Sequence, residues 1–161
     1  MTDSIDESAR VVDSTVGEAE IREYATVHDA EIGDDTRIHE RCSVKKSRVG
    51  DAVDINTGSY VENAEIDTNV QVGPNCSVVG VTHELDERGM TFRNDVFERV
   101  ILHEGVFLGA SVVVGPGVEV GAGTVVAAGA TVPSDVAAGK IVLGVPPAQR
   151  VLDLQDWLAA G

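Results

Sequence analysis

The chain has 161 residues, of which 27 are acidic and 12 are Lys or Arg, and its formal net charge is −15 at pH 7. This balance disfavours nucleic acid or an anionic membrane as a partner, because both require a basic face, and an acidic surface poor in Lys is typical of proteins that work in very high salt. No apolar run is long enough to span a membrane and the acidic N-terminus is not a signal peptide, so we expect a soluble, cytoplasmic protein.

The first element is a leader. Residues 1–10 are acidic and lack any period, which predicts a flexible segment.

From residue 16 onward, apolar residues return every five or six positions, and we expect their side chains to point inward. These are Val16, Ile21, Val27, Ile32, Ile38, Val44, Val49, Ile55, Val61, Ile66, Val72 and Val78.

From Ile32 the intervals are six, six and five, which predicts coils of 17 residues stacked at the spacing of parallel strands. This register places Ala25, Cys42, Ser59 and Cys76 at one position of successive coils. The two cysteines are then two coils apart, about 9–10 Å, which is too far for a disulfide. We interpret both as small residues that fill a corner of the coil.

The same register predicts charge pairs between neighbouring coils on the outer faces. Each pair contributes a fraction of a kcal/mol at most, so a solvated charged surface is the simplest interpretation. The predicted pairs are Glu31 and Glu65 with Arg48, Arg37 with Asp54, and Lys45 with Glu62.

The repeat is interrupted once, over residues 79–99. An insertion in a stack of coils must loop out from one edge, because the coils on either side still have to pair. Loops on a rigid scaffold often carry binding and catalytic groups. This loop is therefore the best functional candidate in the chain.

After the insertion the repeat becomes strict. Apolar residues recur every six positions from Leu102 to Val132, and a second series runs from Val106 to Val136. A period of six fits neither an amphipathic helix nor a plain strand. It is typical of a parallel β-helix with three short sides per coil, so the predicted fold class is an all-β parallel β-helix.

The chain ends with a strand and a helix. Residues 141–147 predict a last strand followed by a proline-stopped exit, and Val151–Ala160 carry a short helical pattern. We expect the helix to cap the open end of the coil. The predicted division is therefore a leader (1–10), a β-helix domain (11–150) and a helical tail (151–161).

Three segments together resemble hexapeptide-repeat O-acetyltransferases of the maltose, galactoside and xenobiotic type. They are Val72-Gly73-Pro74-Asn75 with Thr82-His83-Glu84-Leu85-Asp86 and Arg88, then Val106-Phe107-Leu108-Gly109-Ala110, and finally Val126-Ala127-Ala128-Gly129 with Gly144-Val145-Pro146. The resemblance implies a left-handed coil, a homotrimer with active sites between subunits, and acetyl-CoA as the acyl donor. Residues 66–151 carry most of it.

The resemblance identifies His83 as the catalytic general base. A neutral imidazole can take the proton of an attacking hydroxyl and return it to the departing thiol. The resemblance also implies that Asn75 positions the acceptor, while Asp86 and Arg88 either contact the acceptor or stabilise the loop. No metal is expected.

The donor site is predicted by the same resemblance at Phe107, Gly109, Ala110, Ala128, Ser134 and Arg150. Ser134 stands where the family often has a Lys near the cofactor phosphate, so either Arg150 or backbone N–H groups must replace that Lys. Glu84 replaces a family Pro, and Phe107 replaces a Trp while keeping an aromatic wall.

Other functions remain open at this stage. The same His83 would serve an N-acetyltransferase that acts on an amino sugar, and a non-catalytic trimeric scaffold is possible. A carbonic anhydrase-like protein needs three converging histidines, which the spacings of His28, His39, His83 and His103 do not offer. We expect His28 and His39 on the exposed surface and His103 facing a neighbouring subunit.

Overall fold

A computed structural model describes residues 4–161, which form 24 strands and one helix. Before the insertion the strands are β1 (Ser4–Ile5), β2 (Arg10–Val12), β3 (Thr15–Val16), β4 (Glu20–Ile21), β5 (Thr26–His28), β6 (Glu31–Ile32), β7 (Arg37–Ile38), β8 (Ser43–Lys45), β9 (Arg48–Val49), β10 (Asp54–Ile55), β11 (Tyr60–Glu62), β12 (Ala64–Ile66), β13 (Gln71–Val72) and β14 (Ser77–Val79).

The insertion forms β15 (Val81–Asp86) and β16 (Gly89–Phe97). The later elements are β17 (Val100–Leu102), β18 (Phe107–Leu108), β19 (Val113–Val114), β20 (Glu119–Val120), β21 (Val125–Val126), β22 (Thr131–Val132), β23 (Lys140–Leu143), β24 (Arg150–Asp153) and α1 (Leu154–Ala160).

The strands outside the insertion form three sheets that the chain visits in turn, which confirms the predicted β-helix. Sheet A has the order β1-β4-β7-β10-β13-β18-β21-β23-β24, sheet B the order β2-β5-β8-β11-β14-β19-β22, and sheet C the order β20-β17-β12-β9-β6-β3. We call the three edges of the coil the A–B, B–C and C–A corners.

The core is the column of inward side chains that the repeat predicted. From Ile21 to Val78 and from Leu102 to Val132, these residues are buried, at 4% exposure or less. Val16 in the first coil is only partly buried, since fewer neighbours cover it at the end of the stack. Cys42 and Cys76 are buried and are not bonded to each other, as the register predicted.

The coil begins earlier than the repeat pattern suggests. Ser4 and Ile5 pair in parallel with Glu20 and Ile21, within the segment predicted as a leader. Backbone pairing does not depend on an apolar period, so the sequence pattern could not signal it. Residues 1–3 lie outside the described part of the chain, and the division into leader, domain and tail stays a prediction.

The predicted charge pairs have the expected register but mostly other partners. Arg48 lies 3.5 Å from Glu31, as predicted. Arg37 instead lies 3.6 Å from Glu20, and Glu62 lies 3.6 Å from Lys46 rather than contacting Lys45. Lys45 turns over the Tyr60 ring, 5.5 Å from its centroid.

At the C-terminus the helix is shorter than predicted. Residues 150–153 form β24, which pairs antiparallel with β23 and extends sheet A. Helix α1 starts only at Leu154, because the Asp153 side chain accepts hydrogen bonds from the N–H groups of Gln155 and Asp156 and so caps the helix. No helix residue is buried, and Trp157 remains 41% exposed. Within residues 4–161, no helix combines the length and apolar character that crossing a membrane requires.

Candidate functional site

The insertion is an antiparallel β-hairpin, not an irregular loop, and it projects from the B–C corner. Its two ends meet where Gly80 accepts a backbone hydrogen bond of 2.9 Å from Glu98. Only glycine fits at position 80, where the chain leaves the coil, because an added Cβ would lie 2.2 Å from the carbonyl oxygen of Asn63. The coil therefore continues undisturbed across the insertion.

The hairpin register places His83 directly opposite Asp95. Farther out, Leu85 pairs with Met90, so the strands carry unequal numbers of residues between the two pairs, and Arg93 adopts a positive φ of 57° there. Such a bulge changes the direction of the side chains next to it. The register shift places Asp95, rather than a residue nearer the turn, opposite His83 and on the same face of the hairpin.

His83 and Asp95 form a polar pair. Nδ1 of His83 lies 3.1 Å from a carboxylate oxygen of Asp95, and each side chain is about half exposed. A carboxylate at Nδ1 favours the tautomer with the proton on that nitrogen, which leaves Nε2 as an acceptor. The pair thus presents a basic nitrogen on a projecting arm.

Asp86 and Arg88 contact each other at the hairpin turn. The Asp86 carboxylate accepts a 2.7 Å hydrogen bond from the backbone N–H of Arg88 and lies 3.4 Å from its guanidinium. Next to the His83–Asp95 pair, Asn94 donates a hydrogen bond to the carboxylate of Glu84. These contacts define the shape of the arm that carries His83.

Asn75 lies at the A–B corner, between β13 and β14. It is exposed, its φ of 57° lies in the left-handed region that Asn tolerates, and its N–H bonds to the Thr57 carbonyl. Sheet B separates it from the base of the hairpin. The five residues to Gly80 span about 16 Å of strand at 3.3 Å each.

Five of the six residues predicted to bind the donor lie along sheet A near the A–B corner. Gly109 and Ala110 stack on Ala128, since a Cβ on Gly109 would lie 2.6 Å from the Ala128 nitrogen. Phe107, on β18, is 45% exposed. Arg150 pairs with Leu143 at the end of β23 that leads to the same corner. Ser134 follows β22 and lies at the B–C corner instead.

The A–B corner has free hydrogen-bond donors but no reactive thiol. Among residues 4–161, the backbone N–H groups of Ala110 and Ala128 find no hydrogen-bond acceptor. The Cys76 thiol next to Asn75 is buried and lies 3.1 Å from the Gly109 carbonyl oxygen. Burial raises the pKa of Cys76, so this thiol is a poor nucleophile at neutral pH.

The four histidines do not come together within the chain. His28 is on sheet B, His39 follows a strand of sheet A, and His103 follows a strand of sheet C. The side chain of His28 is 46% exposed as expected, but that of His39 is only 17% exposed and lies 3.9 Å from Asp54. His103 lies 2.5 Å from Glu119. Residues 4–161 contain no group of three or more His, Cys, Asp or Glu that could hold a metal ion.

Asp95 is the residue that the sequence analysis missed. The partner of His83 depends on where the bulge falls, and no local motif marks that position. Its presence within the one interruption of the repeat, residues 79–99, is the available signal.

Two family models match the chain. The model described as GlmU-like, C-terminal hexapeptide matches residues 1–97, and the model described as bacterial transferase hexapeptide (six repeats) matches residues 99–134. No curated protein sequence matches the chain at a significant level.

Solved structures with a similar fold include enzymes that transfer acyl groups. A single-residue mutant of AntD, an N-acyltransferase from Bacillus cereus in complex with dTDP-4-amino-4,6-dideoxyglucose and coenzyme A, superposes with a TM-score of 0.77 at 19% identity over 92% of each chain. PerB from Caulobacter crescentus, in complex with CoA and GDP-perosamine, gives 0.62 at 21% identity over 94% of this chain and 57% of that one. The hexapeptide-repeat acetyltransferase VCA0836 from Vibrio cholerae gives 0.55 at 25% identity over 91% and 74%. The first two likenesses show the fold alone.

Proposed function

This chain belongs to the hexapeptide-repeat family, and we propose that it is an acyltransferase that moves an acetyl group from acetyl-CoA to a hydroxyl of a sugar or similar small acceptor. The observation that carries the proposal is the His83–Asp95 pair on the arm that leaves the coil. A basic nitrogen held by a carboxylate is suited to general-base catalysis of acyl transfer.

The proposed active site lies between two copies of the chain. The hairpin stands at the B–C corner, whereas Asn75 and the residues proposed for the donor lie toward the A–B corner on the other side of sheet B. One chain therefore presents two separate halves, and a second copy would bring them together. The hairpin also exposes Leu85 at 78% and Phe92 at 74%, and large exposed apolar side chains favour a protein partner. We infer a homotrimer.

The chemical step follows from the hydrogen bonds of His83. Nε2 of His83 takes the proton of the acceptor hydroxyl while its oxygen attacks the thioester carbonyl. The carbon–sulfur bond then breaks, and His83 returns the proton to the thiolate of CoA. Asp95 supports the positive charge that His83 carries in between. The products are an acetyl ester and free CoA.

The A–B corner is suited to the donor. The unpaired N–H groups of Ala110 and Ala128 can bond to the amide carbonyls of the pantetheine arm or to the oxyanion of the tetrahedral intermediate. Exposed Phe107 offers an apolar wall, and Arg150 offers a charge for phosphate. The neighbouring structures that hold CoA support this assignment.

Transfer to an amine is the second candidate. AntD and PerB are crystallised with nucleotide-linked amino sugars. The same His83 would accept a proton from an attacking amine, so the acceptor atom decides between an ester and an amide product.

The test is thiol release from acetyl-CoA with a panel of hydroxyl sugars and amino sugars, in molar salt and in dilute buffer. We expect turnover with at least one acceptor, a loss of about 10² or more in the His83→Ala variant, and a particle of three times 16.9 kDa by light scattering. Hydroxylamine cleaves an ester product and spares an amide. Equal activity of His83→Ala and wild type would refute the proposed base.

A further inference from the structure

We propose that a strip of cationic residues on sheet B binds the phosphate or diphosphate group of an anionic acceptor. Arg10, His28 and Lys45 line one shallow depression, together with Val12 and Thr26. The cavity measures about 220 Å³. This inference rests on the proposed function, because it names the chemical class of the acceptor.

The strip arises from the register of three adjacent strands. Arg10 lies on β2, His28 on β5 and Lys45 on β8; His28 pairs with Lys45 directly, and Arg10 is two residues before the β2 partner of His28. Residues two apart on a strand share a face, and neighbouring strands are about 4.8 Å apart, so the three side chains lie on one patch. Phosphate oxygens can bond several such donors at once.

Arg10 and Lys45 form no ion pair inside the described chain, although Lys45 contacts the Tyr60 ring, 5.5 Å from its centroid. Within residues 4–161, neither Arg10 nor Lys45 has a carboxylate within 4.0 Å, although acidic residues outnumber basic ones by 27 to 12. Two acidic residues lie beside the strip, and one of them contacts it. Glu62 bonds Lys46 and the Tyr60 hydroxyl, and Asp13 lies 4.0 Å from His28.

Unpaired cations are notable in such an acidic chain. In a protein of net charge −15, Arg10 and Lys45 lie on one patch without a carboxylate within 4.0 Å in the described chain. Their charges are available to attract an anion. A half-buried Lys45 is also less screened by salt than a fully exposed one.

The strip lies on the way to the proposed active site. His28, Lys45, Glu62 and Val79 are successive partners along sheet B, and the hairpin that carries His83 leaves the coil directly after Val79. Lys45 is two strand spacings from Val79, about 10 Å, and His28 is three, about 14 Å. An acceptor whose phosphate lies on the strip can therefore extend toward the hairpin.

The base of the hairpin also contacts this part of the coil. Lys46, which follows β8, lies 4.8 Å from the centroid of the Phe97 ring at the end of the hairpin. The cation–aromatic contact ties the arm to the coil that carries Lys45. The strip and the arm thus belong to one continuous surface.

The experiment is isothermal titration of the full-length protein with inorganic pyrophosphate, without acetyl-CoA. We expect saturable binding that weakens about tenfold or more in Lys45→Gln and in Arg10→Gln, the loss expected for one charged contact. Arg41→Gln is the matched control, because Arg41 is also without a carboxylate within 4.0 Å in the described chain but lies at the A–B corner. It should bind pyrophosphate as the wild type does.

Further titrations identify the source of the anion. A nucleoside diphosphate, a sugar 1-phosphate and inorganic phosphate are compared with the unphosphorylated sugar. A phosphorylated sugar that binds at least as tightly as pyrophosphate and loses affinity in Lys45→Gln supports an acceptor site. Absence of saturable pyrophosphate binding, or equal losses in Lys45→Gln and Arg41→Gln, would overturn the inference.

The two proposals fail separately. Acetyl transfer that is insensitive to Lys45→Gln and to added pyrophosphate would refute the proposed anion site and leave the proposed acyltransferase activity standing. Pyrophosphate binding at the strip without thiol release for any acceptor would support the anion site and refute the proposed acyltransferase activity.

Discussion

Replacement of Asp95 by Asn tests the catalytic arm most directly. The change keeps the size of the side chain but removes the charge that lies 3.1 Å from Nδ1 of His83. The Asn amide can also donate a hydrogen bond to Nδ1 of His83. It therefore no longer favours the tautomer of His83 whose Nε2 is free to accept a proton.

The size of the effect follows from the exposure of the pair. A charged hydrogen bond contributes up to about 3 kcal/mol when buried, and an exposed ion pair at most about 1 kcal/mol. The His83 and Asp95 side chains are 47% and 46% exposed, so we expect an intermediate loss of about 1–2 kcal/mol in the transition state, or about 5- to 30-fold in kcat. This is smaller than the loss of about 10² or more expected for His83→Ala.

The assay is steady-state thiol release with an acceptor from the sugar panel that supports turnover by the wild type. Asp95→Asn should lower kcat with little change in KM for acetyl-CoA, and Asp95→Glu should restore part of the activity. Because Asp95 acts through His83, adding Asp95→Asn to His83→Ala should cost nothing more. Glu87→Gln, the same charge change at the exposed turn, is the control. Full activity of Asp95→Asn, or additive losses in the double variant, would refute the reasoning.

Two further predictions concern the coil itself. Gly121→Ala should lower the free energy of unfolding by about 2–3 kcal/mol through overpacking, because its Cβ would lie 2.2 Å from the backbone nitrogen of Ala138. The nearest atom to a Cβ on Gly115 is 3.7 Å away, so Gly115→Ala should leave the urea midpoint nearly unchanged; equal shifts in both variants would contradict the close stacking of coils. Burial raises the pKa of the Cys42 thiol from 9.0 to about 11 and, with the Glu62 carboxylate, that of Tyr60 from 10.0 to about 12. The unfolded chain then loses these protons first as the pH rises, so stability should fall between about pH 9 and 12. Urea titrations at stepped pH check this, and a urea midpoint that stays constant over that range would show that folding raises the pKa of neither group.

For the candidate site, a motif predicts which residues take part, and this stays a prediction. His83 and Asn75 were selected by motif, and the structure places each on an exposed element, one on the arm and one at a corner. A motif preserves the order of residues along the chain, and that order decides on which side of a coil each residue falls. That the two sides meet between subunits is an expectation from the resemblance, and the positions of His83 and Asn75 on opposite sides of sheet B agree with it.

The sequence by itself determined the coil. Each inward position must be apolar and each coil must repeat, so a period of five or six residues predicts the core from Ile21 to Val132, the 17-residue register and the separation of the cysteines. One side of each strand is buried, and that is why the pattern is visible.

Only the tertiary structure decided the hairpin, the His83–Asp95 pair and the cationic strip. Both faces of the hairpin meet solvent in the single chain, so burial imposes no alternation on its residues, and the bulge that aligns His83 with Asp95 depends on backbone geometry. The register alone would pair Lys45 with Glu62, yet Glu62 bonds Lys46 and Tyr60 instead. Long, exposed side chains can contact several neighbours at similar energy, so the contact that forms depends on the three-dimensional structure.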